Sequence, residues 1–294
     1  MNALLRLSAR LLSWMPLSWI HRLARPAGLA LRHLPWRKHA VIARNLKACF
    51  PELDHPQLEA LHRAHLVELL KLSGELGALA CWPATRLDRH LPLIEGWEAV
   101  EQARAEGKGI LLVSGHLGNW EIVNLELSRR LSLATLYLAP ENAGVDAFIS
   151  RARGRFGGSV IPSGSAAMRQ LLRQLRAGQA AAIAADIQPK QGDGVFADFF
   201  GIPALSMTLV NRLARRTGCA VILCWGERLD HGKGWALRFE RAEQTIADAD
   251  PALAMACMNR WLEEAIRQAP AQYLWIYKRF SRRPEGEPRF YPKS

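Results

Sequence analysis

Residues 109–121 read Gly-Ile-Leu-Leu-Val-Ser-Gly-His-Leu-Gly-Asn-Trp-Glu. A buried-strand pattern ends at Ser114-Gly115, a second glycine follows at 118, and a helix opens near Asn119, so the stretch has the form of a strand-to-helix turn. His116 sits on that turn and Glu121 in the first turn of the helix. On one continuous helix the two side chains would point apart. With the imidazole on the loop, the carboxylate can fold back onto it. A histidine oriented in this way takes a proton from an oxygen nucleophile, while the carboxylate fixes its tautomer and stabilises the imidazolium. General-base help of this kind is typically worth ~10²–10⁴-fold in rate. The chain has no Gly-x-Ser-x-Gly elbow, and no cysteine lies near this histidine in sequence. Direct attack by a substrate hydroxyl is therefore favoured over a covalent intermediate on the protein.

The elements that must position this pair alternate. Short apolar runs at 110–113, 133–138, 180–184 and 220–225 read as buried strands, and amphipathic stretches at 119–130, 145–156, 166–176 and 206–216 read as helices. Such alternation predicts an α/β fold: a mixed, largely parallel central sheet flanked by helices. Sheets of this kind bind ligands at the C-terminal ends of their strands. Asp186, which follows the strand at 180–184, and the arginine-rich stretch of Arg151, Arg153 and Arg155, which follows the second strand, lie at that edge. A long helix at 58–79 precedes the alternation and one at 250–268 closes it. With no internal repeat or low-complexity linker, the economical division is a helical extension over residues 1–50 and a single α/β domain over 51–294.

The chain has 294 residues, is 49% hydrophobic, and carries 39 Lys+Arg against 27 Asp+Glu, a net charge of +12. This excludes a disordered chain and points to anionic partners. Its five cysteines are odd in number, scattered and without a Cys-x-x-Cys pair, so neither a disulfide framework nor a zinc site is expected. Residues 1–51 contain no acidic residue, while nine Lys and Arg recur through Leu- and Trp-rich sequence. Leu4, Leu7, Leu11 and Trp14 fall on one helical face, a pattern expected of a helix lying in a membrane interface. The apolar stretch at 11–20 is bounded by charge and broken by Pro16, too short to span a bilayer. No small-x-small site follows it, so the segment reads as retained. No zinc-finger, KH or RNP1-type pattern occurs, so nucleic acid is not the expected partner.

The motif Gly115-His116-Leu117-Gly118-Asn119-Trp120-Glu121 is a His-x4-Asp/Glu signature and resembles that of the lipid A late acyltransferases, within the wider glycerolipid acyltransferase superfamily. Further landmarks resemble the same family in the same order: Asn45-Leu46, Cys49-Phe50-Pro51, Asp186-Ile187-Gln188, Phe199-Phe200-Gly201-Ile202-Pro203-Ala204, Gln272-Tyr273-Leu274-Trp275 and Lys278-Arg279-Phe280. At 186–189 the chain has Asp-Ile-Gln-Pro where family members commonly show Asp-Gln-Asp. The resemblance implies an acyltransferase that moves a fatty acyl chain from acyl carrier protein to a hydroxyl of a lipid A precursor, a saccharolipid of the Kdo-lipid IVA type. It implies His116 as general base, Glu121 as its partner, and substrate contacts among Asn119, Arg151, Arg153, Asp186 and Gln188. It calls for no metal and no cofactor beyond the acyl-carrier co-substrate. The expected location is the cytoplasmic face of the inner membrane, against anionic lipid. Two other readings share the residues: an acyltransferase acting on a glycerophospholipid or aminolipid, and a non-enzymatic membrane-binding module.

Overall fold

The computed structural model of the chain describes residues 2–164, 166–189 and 192–292. Helices α1 (Asn2–Trp14), α2 (Leu17–Leu31), α3 (Lys38–Cys49), α4 (His55–Leu79) and α5 (Ala84–Asp88) come first. The alternating part follows as β1 (Leu93–Glu95), α6 (Trp97–Ala105), β2 (Ile110–Ser114), α7 (Trp120–Arg130), β3 (Leu133–Tyr137), α8 (Ala143–Gly154), β4 (Ser159–Pro162), α9 (Ala167–Arg176) and β5 (Ala180–Ala184). It ends with the strands β6 (Gly194–Phe199) and β7 (Ile202–Met207), then α10 (Leu209–Thr217), β8 (Ala220–Arg228), β9 (Trp235–Arg241) and α11 (Pro251–Gln268).

Seven strands form one sheet in the order β1-β9-β8-β2-β5-β3-β4. Strands β8, β2, β5, β3 and β4 run parallel, while β9 pairs antiparallel with β8 and parallel with β1. The central strand β2 is a continuous apolar run because helices cover both of its faces. Ile110 and Leu112 join a core with Leu17 and Ile20 of α2, Ala78 and Leu79 of α4, and Ile122 and Val123 of α7. Leu111 and Val113 point the other way, into a core with Leu171 and Leu175 of α9, Val210 and Leu213 of α10, and Met255 and Met258 of α11. The mixed α/β architecture expected from the sequence is the one observed.

Several elements differ from the sequence reading. Residues 194–207 form an antiparallel hairpin, β6 with β7, so the helix expected from 206 starts only at Leu209. Ser206 and Met207 stay in the strand because both are buried, Ser206 in a hydrogen-bond pair with Asn259 of α11. Strands β1 and β9 are additions at one edge of the sheet.

The N-terminal helices are part of the fold rather than an appendage. The α3 residues Val41, Ile42 and Leu46 are buried with Trp225, Leu262, Tyr273 and Trp275. Helix α4 begins at His55, earlier than the expected 58, because Asp54 accepts the Gln57 N–H at 2.8 Å and Gln57 Oε1 accepts the Asp54 N–H at 2.9 Å, a reciprocal cap. Helices α1 and α2 both pack along α4. Ala9 and Leu17 are buried there, whereas Leu4, Leu7, Leu11 and Trp14 face outward, Leu4 and Trp14 each more than two-thirds exposed. Trp19, Leu23 and Leu34 continue this outward apolar surface. Among the described residues no helix is long and apolar enough to cross a membrane.

Candidate active site

The turn after β2 is held at every step by distant parts of the chain. The His116 N–H donates to Asp186 Oδ2 at 2.8 Å, and the His116 carbonyl accepts from Leu274 N at 3.0 Å. Gly118 N donates to the Gln272 carbonyl at 3.1 Å, and Asn119 N to the Gly226 carbonyl at 2.8 Å. Gly118 has φ +62°, and a Cβ there would lie 1.9 Å from the Gly226 carbonyl oxygen. Only glycine fits. The Asn119 side chain then starts α7, its Oδ1 accepting the N–H groups of Glu121 and Ile122 at 3.1 Å each.

The carboxylate that meets the imidazole belongs to Asp186, not to Glu121. His116 Nδ1 lies 2.8 Å from Asp186 Oδ1, so one carboxylate binds both the ring and the backbone of the same histidine. The parallel pairing of β2 with β5, which sets Ser114 beside Ala184, delivers these two residues side by side. Burial works against the imidazolium, but the Asp186 carboxylate outweighs it and raises the His116 pKa above its ordinary value. Burial likewise works against the Asp186 anion, yet the charge and two hydrogen bonds of His116, with Arg279 behind, hold its pKa below the usual carboxylate range. With the proton on Nδ1, the Nε2 lone pair is free, and Nε2 makes no hydrogen bond among the described residues. The His116 side chain is one-quarter exposed, its ring edge-on to Trp120 at 4.8 Å.

Glu121 instead pairs with Arg153, which reaches in from α8. Arg153 Nε lies 3.0 Å from Oε2, and Nη2 bonds Oε1 to complete a bidentate fork. Arg153 also sits over the Tyr137 ring at 5.0 Å. Burial opposes its charge, but Glu121 more than compensates, so its pKa is raised. The structure therefore replaces the expected His-Glu pair with two pairs, His116–Asp186 and Glu121–Arg153, near enough that the Glu121 charge is still felt at His116.

The remaining candidates take other places. Asn119 is fully buried, its Nδ2 donating to Glu75 Oε2 at 2.8 Å, so here it shapes the turn. The Gln188 N–H donates to the Tyr277 hydroxyl at 2.8 Å and its side-chain amide to the Arg279 carbonyl, which tie it to the C-terminal segment. Arg151 is exposed on α8, and Arg155 donates to the Trp82 and Leu79 carbonyls, closing the end of α4.

Two supporting groups escaped the sequence reading. Glu75, wholly buried on α4, receives Arg228 through both carboxylate oxygens, His21 Nε2 at 2.6 Å and the Asn119 amide. Burial pushes its pKa up, but Arg228 and His21 bring it down to about 2. Arg279, also buried, donates to the Leu205 carbonyl at 2.6 Å and to Ser206 Oγ at 2.7 Å, and its charge favours the Asp186 anion. Arg279 gave a signal by sitting in an aromatic stretch, but Glu75 gave none, since it shares its side of α4 with Glu68, which meets the same Arg228. Neither showed its partners, which lie 44, 54 and 153 residues from Glu75 and 73 and 74 from Arg279. Among the described residues no group of three or more His, Cys, Asp or Glu side chains converges as metal ligands would.

The α/β sheet thus presents a carboxylate-held histidine, a group able to take a proton, on a glycine-bounded turn at its C-terminal edge. The sequence model of the bacterial lipid A biosynthesis acyltransferases matches residues 4–282, and the chain belongs to that family. It is accordingly an acyltransferase, which sets aside the non-enzymatic reading. It is 29% identical over 283 residues to the lipid A biosynthesis lauroyltransferase of Escherichia coli (strain K12), covering 94% of this chain and 90% of that protein. It is 27% identical over 256 residues to the palmitoleoyltransferase of the same strain, covering 87% and 82%. A phosphatidylinositol mannoside acyltransferase of Mycobacterium tuberculosis (strain CDC 1551 / Oshkosh) is 29% identical over 198 residues, covering 65% and 59%.

Proposed function

We propose that the protein transfers a fatty acyl chain from acyl carrier protein to a hydroxyl of a lipid A precursor, at the cytoplasmic face of the inner membrane. The observation that carries this reading is the His116 imidazole, fixed through Nδ1 by Asp186 with Nε2 open. In the proposed step Nε2 takes the proton of the acceptor hydroxyl as its oxygen attacks the thioester carbonyl carbon. The resulting tetrahedral intermediate collapses with loss of the carbon–sulfur bond, and the imidazolium returns its proton to the departing thiolate. The products are an ester and a free thiol on the carrier. Asp186 keeps the correct tautomer before the step and stabilises the imidazolium during it. Arg153, held in place by Glu121, is a cation beside the base for a developing oxyanion or an acceptor phosphate.

The outward apolar surface of α1 and α2 supports the location. Full burial of a Leu or Trp side chain is worth roughly 1.5–3 kcal/mol, so even partial immersion of Leu4, Leu7, Leu11 and Trp14 gives a useful anchor. Arg6, Arg10, Arg22 and Arg25 are exposed on the same two helices, and each adds about 1 kcal/mol near an anionic leaflet. The names of the relatives support a lipid A precursor as acceptor, while the mannoside acyltransferase marks how another acceptor would arise on the same scaffold.

The test is an assay of the purified protein with acyl carrier protein thioester and a tetra-acylated lipid A precursor, read by the mass of the product. Transfer by the native protein and its loss in His116→Ala is the expected result. Absence of transfer to this acceptor, or undiminished transfer by His116→Ala, would overturn the proposal.

A further inference from the structure

Helices α9 and α10 lie side by side on the sheet face opposite the one that carries α2 and α4. Their apolar residues, Leu171 and Leu175 on α9 and Val210 and Leu213 on α10, are buried beneath them. Their outer faces are arginine. Arg169, Arg173 and Arg176 recur at i, i+4 and i+7 on α9, and Arg212, Arg215 and Arg216 crowd one side of α10, all six exposed. Neither helix contains an acidic residue. Arg212 stands 3.9 Å from Asp193, and among the described residues none of the other five makes an ion pair. After β9, Glu243 pairs with Arg260 at 3.6 Å, and Asp248 and Asp250 accept the N–H groups of Asp250 and Ala252, while Arg215 donates to the Ala249 carbonyl between them at 3.4 Å.

Uncompensated charge of this density repels itself unless something anionic covers it. Two features choose between a bilayer and a protein. Among the described residues neither arginine helix carries an exposed large apolar side chain, and on this layer Leu253 at the start of α11 is exposed, whereas such side chains concentrate on α1 and α2, behind the other face of the sheet. The apolar and the arginine surfaces are thus on opposite sides, and a protein seated on a bilayer through α1 and α2 turns α9 and α10 to the water. Both arginine helices also begin at the site edge. Helix α9 follows β4 and leads back to the start of β5, and α10 leads back to the start of β8, so Arg169 and Arg212 lie at the end of the sheet where β2 and β5 deliver His116 and Asp186. Ten helical residues span only ~15 Å, so the whole face lies within that distance of the edge along the strand direction.

We propose that the α9–α10 arginine face docks the acidic carrier protein that brings the acyl thioester, so that the thioester arm passes over the strand ends to His116. This rests on the donor assigned above. Electrostatic docking of this kind sets encounter and binding rather than the chemical step, and it weakens with salt.

The experiment uses the full chain and the paired charge reversals Arg173→Glu with Arg176→Glu, and Arg212→Glu with Arg215→Glu. The KM and kcat for an acyl carrier protein thioester are compared with those for the same acyl chain on pantetheine, at low and at raised salt. Expected is a rise of roughly tenfold or more in KM for the carrier-borne donor, with kcat and the pantetheine thioester unaffected and the salt dependence flattened. The double Arg173→Lys, Arg176→Lys variant preserves charge and is expected to behave as the native protein. An unchanged carrier KM in both reversals overturns the proposal, and so does loss of binding to anionic phospholipid vesicles with the carrier KM intact, which would make this a lipid face. A native protein that uses the pantetheine thioester but never the carrier-borne one fails earlier and differently, because the donor itself is then wrong.

Discussion

Replacement of Asp186 by asparagine separates the two arrangements that a His-x4-Glu motif allows. Both oxygens of the carboxylate accept from His116, one from the backbone N–H and one from Nδ1, each at 2.8 Å. An asparagine offers one acceptor and one donor. If its oxygen keeps the backbone N–H, its NH2 group faces Nδ1 and forces that nitrogen to accept, which moves the ring proton to Nε2 and abolishes the base. If it keeps the Nδ1–H instead, the NH2 group opposes the backbone N–H, and a buried charge-assisted hydrogen bond worth about 1.5–3 kcal/mol is lost from the turn. The first alternative removes general-base catalysis and the second misplaces it, so kcat falls by roughly 10²–10⁴-fold. The pH profile changes as well. In the proposed step activity requires neutral His116, whose pKa Asp186 raises against the opposing effect of burial. Without the carboxylate charge burial prevails, so the residual activity rises through a pKa shifted to lower pH. The assay is acyl transfer across a pH series for Asp186→Asn and Glu121→Gln, with the imidazole tautomer read by nitrogen-15 NMR. Retention of more than about a tenth of native kcat in Asp186→Asn, or an equal shift of the limb in Glu121→Gln, refutes the assignment of Asp186 as the partner of the base.

Other perturbations have defined outcomes. Glu75→Gln leaves Arg228 buried with only Glu68 as a carboxylate partner, and is expected to cost about 3–5 kcal/mol in a urea titration. Because the folded pKa of Glu75 lies below its ordinary value, its contribution is present above about 4.5 and is lost as pH falls toward about 2; that part of the acid dependence disappears in the variant. Gly118→Ala combines a positive φ with a clash on the Gly226 carbonyl and is expected to cost about 3 kcal/mol or more, while Gly107→Ala, at φ +67° in open space, costs about 1 kcal/mol by the same urea titration. Changing Leu4, Leu7, Leu11 and Trp14 together to serine is expected to abolish sedimentation with anionic vesicles, while transfer to detergent-dispersed acceptor persists.

The sequence made the fold legible wherever an element was buried on both faces. The run at 110–113 and the alanines at 180–184 each announce themselves through composition alone, whereas the Asp54 cap, which starts its helix before the expected residue 58, did not. The hairpin β6–β7 was not legible, because Ser206 owes its place in a strand to Asn259 on a distant helix. The site divides in the same way. Its glycines and its histidine are local and were visible. Local proximity also suggested Glu121 as the partner of His116, five residues on, while the contact that exists comes through strand pairing, from a residue 70 positions away. Short sequence separation is a poor guide to side-chain contact at a turn where the backbone changes direction twice.

The turn that carries His116 has a consequence for how the protein is made. It is tied to Asp186, Gly226, Gln272 and Leu274, and Asp186 in turn lies in the field of Arg279. During synthesis from the N-terminus the turn thus emerges more than 150 residues before the last strand of chain that fixes it. Any fragment that ends before residue 274 lacks at least one of these ties. On the function proposed above, the site is therefore completed only when nearly the whole chain has been made, and a nascent chain held at a membrane through its first helices would be inactive until then.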